Sequence, residues 1–214
     1  MDYKPVMKTD PHAYSEGFIT EDHLKAQARL RGIEVGAIDV TPGVGAYLRH
    51  LAATLSAQSV VEIGTGSGVG SLWLLEGMIK NGTLTSIDSE MEHSQIAKLA
   101  FADSEIPANR YRLITNSILD VISKLTDKAY DLVVVRQNPE DLAFIINEAH
   151  RILRSGGVLV IDNFFGGSKV NDPAQRDPKT VALRDAGKII KTGTEQWVST
   201  LLPAGDGLLV ATKL

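Results

Sequence analysis

Cysteine is absent from all 214 residues. That excludes disulfides, thiolate metal sites and a cysteine nucleophile. Long apolar runs are missing too, and none approaches the roughly 18 to 20 residues that span a bilayer. Excess positive charge is missing: 22 Lys and Arg face 26 Asp and Glu, for a net charge of −4. Such a chain has no general attraction to nucleic acid. The first ten residues mix Asp2, Lys4 and Lys8 with few apolar side chains, so they form no signal-peptide core. With no export signal and no membrane span, the expected location is the cytoplasm.

What is present is ordinary for a soluble globular protein: 43% hydrophobic and 22% charged residues. The length suits one domain. Residues 1–57 read as an arm and helices, and residues 58–214 as an α/β core. The arm is expected to be irregular over 1–18. A helix is expected from Thr20 as N-cap, with Glu21 and Asp22 in its first turn. A second follows Thr41 and Pro42, with Val44, Leu48, Leu51 and Leu55 on one face. Gly43 and Gly45 weaken its first turn.

From residue 59 the pattern changes to strands alternating with helices. Strands are expected at 59–63, 83–88, 111–115, 130–135 and 157–161. Helices are expected at 69–79, 90–103, 117–125, from Pro139 to Leu153, and at 179–190. This alternation implies βαβ units and a parallel sheet with helices on both faces. The tail breaks it. Strands at 196–202 and 207–214 are joined by Pro203–Asp206, too short a link for a parallel crossover, so they must form an antiparallel hairpin. The expected fold is a doubly wound, Rossmann-like, mostly parallel seven-stranded sheet with a C-terminal antiparallel hairpin and an N-terminal helical extension.

The chemistry concentrates at Glu62-Ile63-Gly64-Thr65-Gly66-Ser67-Gly68-Val69-Gly70. Alternate glycines let the backbone turn tightly against a ligand. The loop joins strand to helix at the sheet's carboxyl edge, where such folds bind ligands. A dinucleotide fingerprint needs glycine at position 69, which is Val, so the pyrophosphate reading is weakened. Asp88 ends the next strand, where a carboxylate accepts hydrogen bonds from both ribose hydroxyls of a nucleoside. The plainer reading makes the glycines a turn and Asp88 a helix cap. The loop, Asp88 and the hairpin together favour a nucleoside.

These features resemble the class I S-adenosylmethionine-dependent methyltransferases, and within them the catechol/caffeoyl-CoA O-methyltransferase family. The likeness runs from about Thr20 to the C-terminus, through Val40-Thr41-Pro42, Glu62–Gly66, Thr85–Asp88, Tyr130–Val133 and Gly156–Asn163. It implies a cofactor, S-adenosylmethionine, held by Val40, Glu62, Gly64, Thr65, Gly66, Gly68, Asp88 and Ser89, with Asn138 facing it. It also implies a homodimer and a small hydroxylated acceptor, phenolic or similar.

One departure concerns metal. The family's members usually carry D-x-D-K after the fourth strand and Asp-Asn after the fifth. The first Asp and the Asp-Asn pair hold a divalent cation, and the Lys is the usual base candidate. Asp162 and Asn163 are present, but the other stretch reads Arg136-Gln137-Asn138-Pro139. A guanidinium has donors only and cannot ligate a cation. The standard metal site therefore reads as incomplete, with Asp162 and Asn163 its remnant. Arg136 pairing with Asp162 would supply part of the missing positive charge. The plainer reading of Asp162-Asn163 is a turn.

No catalytic base stands out. His12, His23, His50, His93 and His150 are scattered, with His93 and His150 expected on helix surfaces. Trp73 reads as core and Trp197 as core or pocket wall. Lys169 reads as solvated, or else as an acceptor contact. The leading function is methyl transfer to oxygen. The alternatives are a cofactor-binding protein of the same fold without transferase activity, and a nicotinamide-dependent oxidoreductase.

Overall fold

The computed structural model describes residues 10–136 and 139–214. Seven strands form one sheet in the order β3-β2-β1-β4-β5-β7-β6. They are β1 (Ser59–Ile63), β2 (Thr83–Asp88), β3 (Tyr111–Thr115), β4 (Tyr130–Val135), β5 (Leu153–Ile161), β6 (Trp197–Leu202) and β7 (Leu208–Lys213). The first five run parallel. β7 lies antiparallel to both β5 and β6. The short link after Leu202 thus folds back as its length requires.

Side chains alternate across the strands, as a period of two demands. Val60, Leu84, Leu132 and Val134 enter the core beneath α3 (Pro42–Thr54) and α4 (Val69–Gly77). Val61, Ile63, Val133 and Val135 enter the opposite core, with α7 (Leu142–Ile152) and α8 (Pro178–Thr192). Each fully buried Val, Ile or Leu contributes roughly 1.5–3 kcal/mol. A sheet covered on both faces therefore leaves ligands only its strand ends. Helix α6 (Ile118–Ile122) is shorter than expected, and α5 (Met91–Asp103) follows β2.

The N-terminal region differs from expectation in two ways. The stretch expected to be irregular contains α1 (Pro11–Glu16), capped by the Asp10 side chain and started by Pro11. Helix α2 (His23–Glu34) is capped by Asp22, not Thr20, because the Asp22 carboxylate accepts from Lys25 N at 2.9 Å. Glu21 instead pairs with Arg29. The Val44/Leu48 face of α3 is spent on the protein's own core, with Leu51 and Leu55 half-buried beside it. Apolar surface is exposed elsewhere, at Tyr14, Phe18, Leu30 and Ile33. Thr41 and Pro42 do start α3.

Two further boundaries move. Proline 139 opens a short 3-10 turn before α7, and Leu153 belongs to β5, pairing with Tyr130 across a local irregularity in register. Among the described residues, no helix is long and apolar enough to cross a membrane.

Candidate functional site

The strand order reverses between β1 and β4, and ligands of open α/β sheets bind at such a switch point, beyond the carboxyl ends. The residues that follow β1, β2, β4 and β5 meet there: Gly64, Ser89, Arg136 and Asp162. A cavity of about 570 Å³ opens at this edge, lined by Ile38, His93, Arg136, Asp162, Asn163 and Lys169 among others. That volume lies within the ordinary range for small-ligand sites.

The glycine loop takes its shape from residues that tolerate left-handed backbone. Gly64, Gly66 and Gly68 have φ of 93°, 56° and 91°. Gly66 N donates to Asp88 Oδ2 at 3.1 Å, which ties the loop to the end of β2. Asp88 is fully buried, and its Oδ1 accepts from Glu90 N at 2.9 Å. Thr65 Oγ1 is 2.7 Å from Ser86 Oγ, and Ser86 Oγ donates to Glu62 Oε2 at 2.8 Å. Ser71 Oγ donates to the same Glu62 oxygen. Glu62 Oε1 has no hydrogen-bond partner among the described residues. Burial raises the Glu62 pKa above the usual carboxylate value, against the opposing pull of Arg136.

The structure thus gathers Glu62, Gly64, Thr65, Gly66, Gly68 and Asp88 around one loop. It treats three other expected residues differently. Val40 is buried in the core, and its carbonyl accepts from Arg29. Ser89 is exposed, with Oγ 3.4 Å from Glu90 Oε1. Asn138 lies outside the described residues.

Arg136 forms the other half of the site. It is 8% exposed, and Asp162 beside it 5%. Backbone bonds set both in register: Arg136 N donates to Ile63 O and Asp162 N to Val135 O, each at 2.9 Å. The guanidinium donates to Gly64 O at 3.0 Å and to Ile38 O at 2.5 Å. Three carboxylates surround it: Glu62 at 3.6 Å, Asp162 at 3.8 Å and Asp39 at 4.0 Å. Burial raises the Asp162 pKa, again opposed by Arg136.

Two residues unmarked by sequence reasoning prove central. Asp39 accepts from Ser67 N at 3.1 Å and Ser67 Oγ at 2.6 Å, clamping the glycine loop from above. No motif announced it. His93, expected on a helix surface, is only 9% exposed and lies against Asp88. Its spacing to Ala97, Ala100 and Phe101 puts it on the buried face of α5, a signal that was available. His150 is half-buried, with its ring edge-on to Trp197 at 5.2 Å. Trp197 and Trp73 are both core. Lys169 lines the cavity.

A glycine turn at a switch point, tied to a buried carboxylate on the next strand, is the arrangement by which doubly wound α/β proteins take up nucleosides. The O-methyltransferase family model matches residues 12–214. A curated O-methyltransferase candidate of Mycobacteroides abscessus is 42% identical over 99% of this chain and 97% of its own length. A Corynebacterium glutamicum crystal structure superposes with a TM-score of 0.86 at 33% identity, covering 94% of each chain. The O-methyltransferase TomG of Streptomyces achromogenes, solved with S-adenosylmethionine, superposes with a TM-score of 0.85 at 25% identity, also covering 94% of each. The chain belongs to the O-methyltransferase family. The class implied by the sequence resemblance, an S-adenosylmethionine-dependent methyltransferase, is the class this family defines, and the nicotinamide alternative falls.

Proposed function

We propose that the protein transfers the methyl group of S-adenosylmethionine to an oxygen of a small hydroxylated acceptor, phenolic or similar, without a divalent cation at the strand ends. The observation that carries the cofactor half is the bond from Gly66 N to the buried Asp88 carboxylate. The site fits this cofactor. The glycine loop leaves room for close approach, Asp88 offers a buried acceptor for the ribose hydroxyls, and Glu62 Oε1 is a buried acceptor still without a hydrogen-bond partner among the described residues. By resemblance, Val40, Thr65, Ser89 and Asn138 complete the cofactor shell. When bound, the cofactor supplies a methyl group on a sulfonium, ready for in-line displacement. The chain's own work is to orient the acceptor and exclude water.

The site does not fit a cation. Arg136 occupies the position of a metal ligand and offers only donors. Among the described residues, no group of three or more His, Cys, Asp or Glu side chains is placed to hold a metal ion. Arg136 keeps positive charge beside Asp162 in its stead. A second reading, a cofactor-binding protein without transferase activity, is favoured by one observation: both the metal-ligand and base positions carry other residues, Arg136 and Pro139.

We read the protein as a homodimer that binds no nucleic acid. Net charge −4 and the exposed Tyr14, Phe18, Leu30 and Ile33 support this. Turnover of labelled S-adenosylmethionine on a panel of phenols and hydroxy acids tests transfer. Methylation of any acceptor supports the leading reading, and cofactor binding without turnover favours the second. Sedimentation giving only the 23.1 kDa monomer would sink the dimer.

A further inference from the structure

We propose that His93 is a latch on the nucleoside site: its imidazole occupies the Asp88 oxygens that the ribose diol must take, and it swings away when cofactor binds. The inference rests on the cofactor reading above. Its basis is a count of acceptor capacity. An ionised carboxylate offers about four lone-pair sites, two per oxygen. Asp88 Oδ1 accepts from Glu90 N at 2.9 Å, and Oδ2 from Gly66 N at 3.1 Å. His93 Nδ1 stands 3.3 Å from Oδ1 and 3.2 Å from Oδ2, nearly equidistant, so its one hydrogen is shared between them and the ring covers the face of the carboxylate that the backbone donors leave free. The two backbone donors are fixed by the loop and by the start of α5. His93 is the partner that can yield.

The tautomer follows from the partner. A carboxylate accepts only, so Nδ1 carries the hydrogen of this contact. The way out is also visible. His93 sits in the first turn of α5 and lines the 570 Å³ cavity, so rotation of its side chain moves the ring into open space rather than into the core. Asp88 is thereby never left bare: a buried carboxylate without partners is costly, and the imidazole covers it until two hydroxyls replace it. The arrangement makes His93 an affinity-setting residue that opposes cofactor binding.

Titration calorimetry with S-adenosylhomocysteine tests this on the whole chain. His93→Ala is expected to tighten binding about fivefold or more, since the ribose no longer displaces a hydrogen bond to a charged group. His93→Asn, which keeps an N–H donor near the place of Nδ1, is expected to stay within about twofold of the unmutated protein. Nitrogen NMR of the unmutated protein is expected to show the Nδ1 hydrogen bond lost on adding S-adenosylhomocysteine. Unchanged or weaker binding by His93→Ala, or an Nδ1 signal indifferent to ligand, overturns the latch. Absence of binding by both the unmutated protein and His93→Ala overturns the cofactor reading instead.

Discussion

The Arg136 guanidinium and the Asp162 carboxylate stand at adjacent strand ends, Nε to Oδ2 3.8 Å, both almost wholly buried. Their separation is that of an ion pair rather than a hydrogen bond. Arg136 Nε has no hydrogen-bond partner among the described residues. The guanidinium spends its other nitrogens on Gly64 O and Ile38 O, so it braces the glycine loop while facing three carboxylates. One positive charge among Asp39, Glu62 and Asp162 leaves the cluster net negative when all three are ionised.

The first prediction follows from that pair. Two like unit charges about 4 Å apart repel by about 4 kcal/mol at an effective dielectric near 20. A divalent ion beside Arg136 meets at least that, and the carboxylates of Asp39, Glu62 and Asp162 already face the guanidinium, which leaves Asp162 with a neutral Asn163 as a poor ligand set. Methyl transfer is therefore expected to be unaffected by chelator. Arg136→Asp adds a carboxylate to Asp39, Glu62 and Asp162, and should lower the melting temperature. Magnesium or manganese should then raise it by several degrees, with no such rise for the unmutated protein. Activity lost in chelator and restored by magnesium would show that the chain finds its ligands elsewhere.

A second prediction concerns the ribose carboxylate. Asp88→Ala is expected to weaken S-adenosylhomocysteine binding by about 1.5–3 kcal/mol, the scale of hydrogen bonds to a charged group. That is roughly 10- to 150-fold in Kd. Calorimetry on both proteins reads it, and equal affinities would remove Asp88 from the site.

Much of the fold and of the cofactor loop is legible in the sequence. The element order and the hairpin came from period and link length, because both are local. The glycine loop and Asp88 were legible because a tight turn and a strand-end carboxylate leave marks in sequence. Asp39 was not, since its role depends on a loop from α2 lying over Ser67, a contact across 28 positions. His93 reads as surface if a polar side chain on a helix is taken to face solvent, yet its spacing to Phe101 places it inward. Thr20 lost the cap of α2 to Asp22 because two neighbouring residues had equal claims, and only the bond to Lys25 N decides between them.

A third prediction tests how the sheet is anchored at its other end. Asp131 accepts from Gln58 N at 2.6 Å, Ser59 N at 2.9 Å and Arg154 Nε at 2.5 Å, joining the starts of β1, β4 and β5. Burial alone would raise its pKa. The bonds from Arg154, Ser59 and Gln58 outweigh it and hold the pKa below 3.8. A depressed carboxylate gives stability that is present above its unfolded pKa and lost as pH falls through its folded one. Asp131→Asn is thus expected to cost about 1.5–3 kcal/mol at neutral pH. The gap from the unmutated protein should begin to narrow below about pH 4 and keep narrowing as pH falls through the depressed folded-state pKa. Denaturant melts at pH 7 and pH 3 read both arms, and a gap that does not narrow in acid would contradict the charge-based account.

The last prediction concerns Gly45, which as a helix residue looks like a defect. Replacing glycine by alanine in a helix interior gains about 1 kcal/mol in propensity. Here the gain is overruled. A Cβ on Gly45 would stand 2.3 Å from both Cδ1 and Nε1 of Trp73, far inside van der Waals contact. Trp73 cannot withdraw: it is 1% exposed, its Nε1 donates to Glu21 Oε1 at 3.3 Å, and Lys25 lies over its ring at 4.6 Å. Overpacking of a filled core typically costs 1–3 kcal/mol, with more when a buried hydrogen bond is lost as well. Gly45→Ala is therefore expected to destabilise by about 1–3 kcal/mol net, with a blue- or red-shifted Trp73 emission as the ring is displaced. Thermal melts of the variant decide it. A melting temperature at or above that of the unmutated protein would mean that α3 and α4 are not held at the close approach described, and that helix propensity alone governs this position.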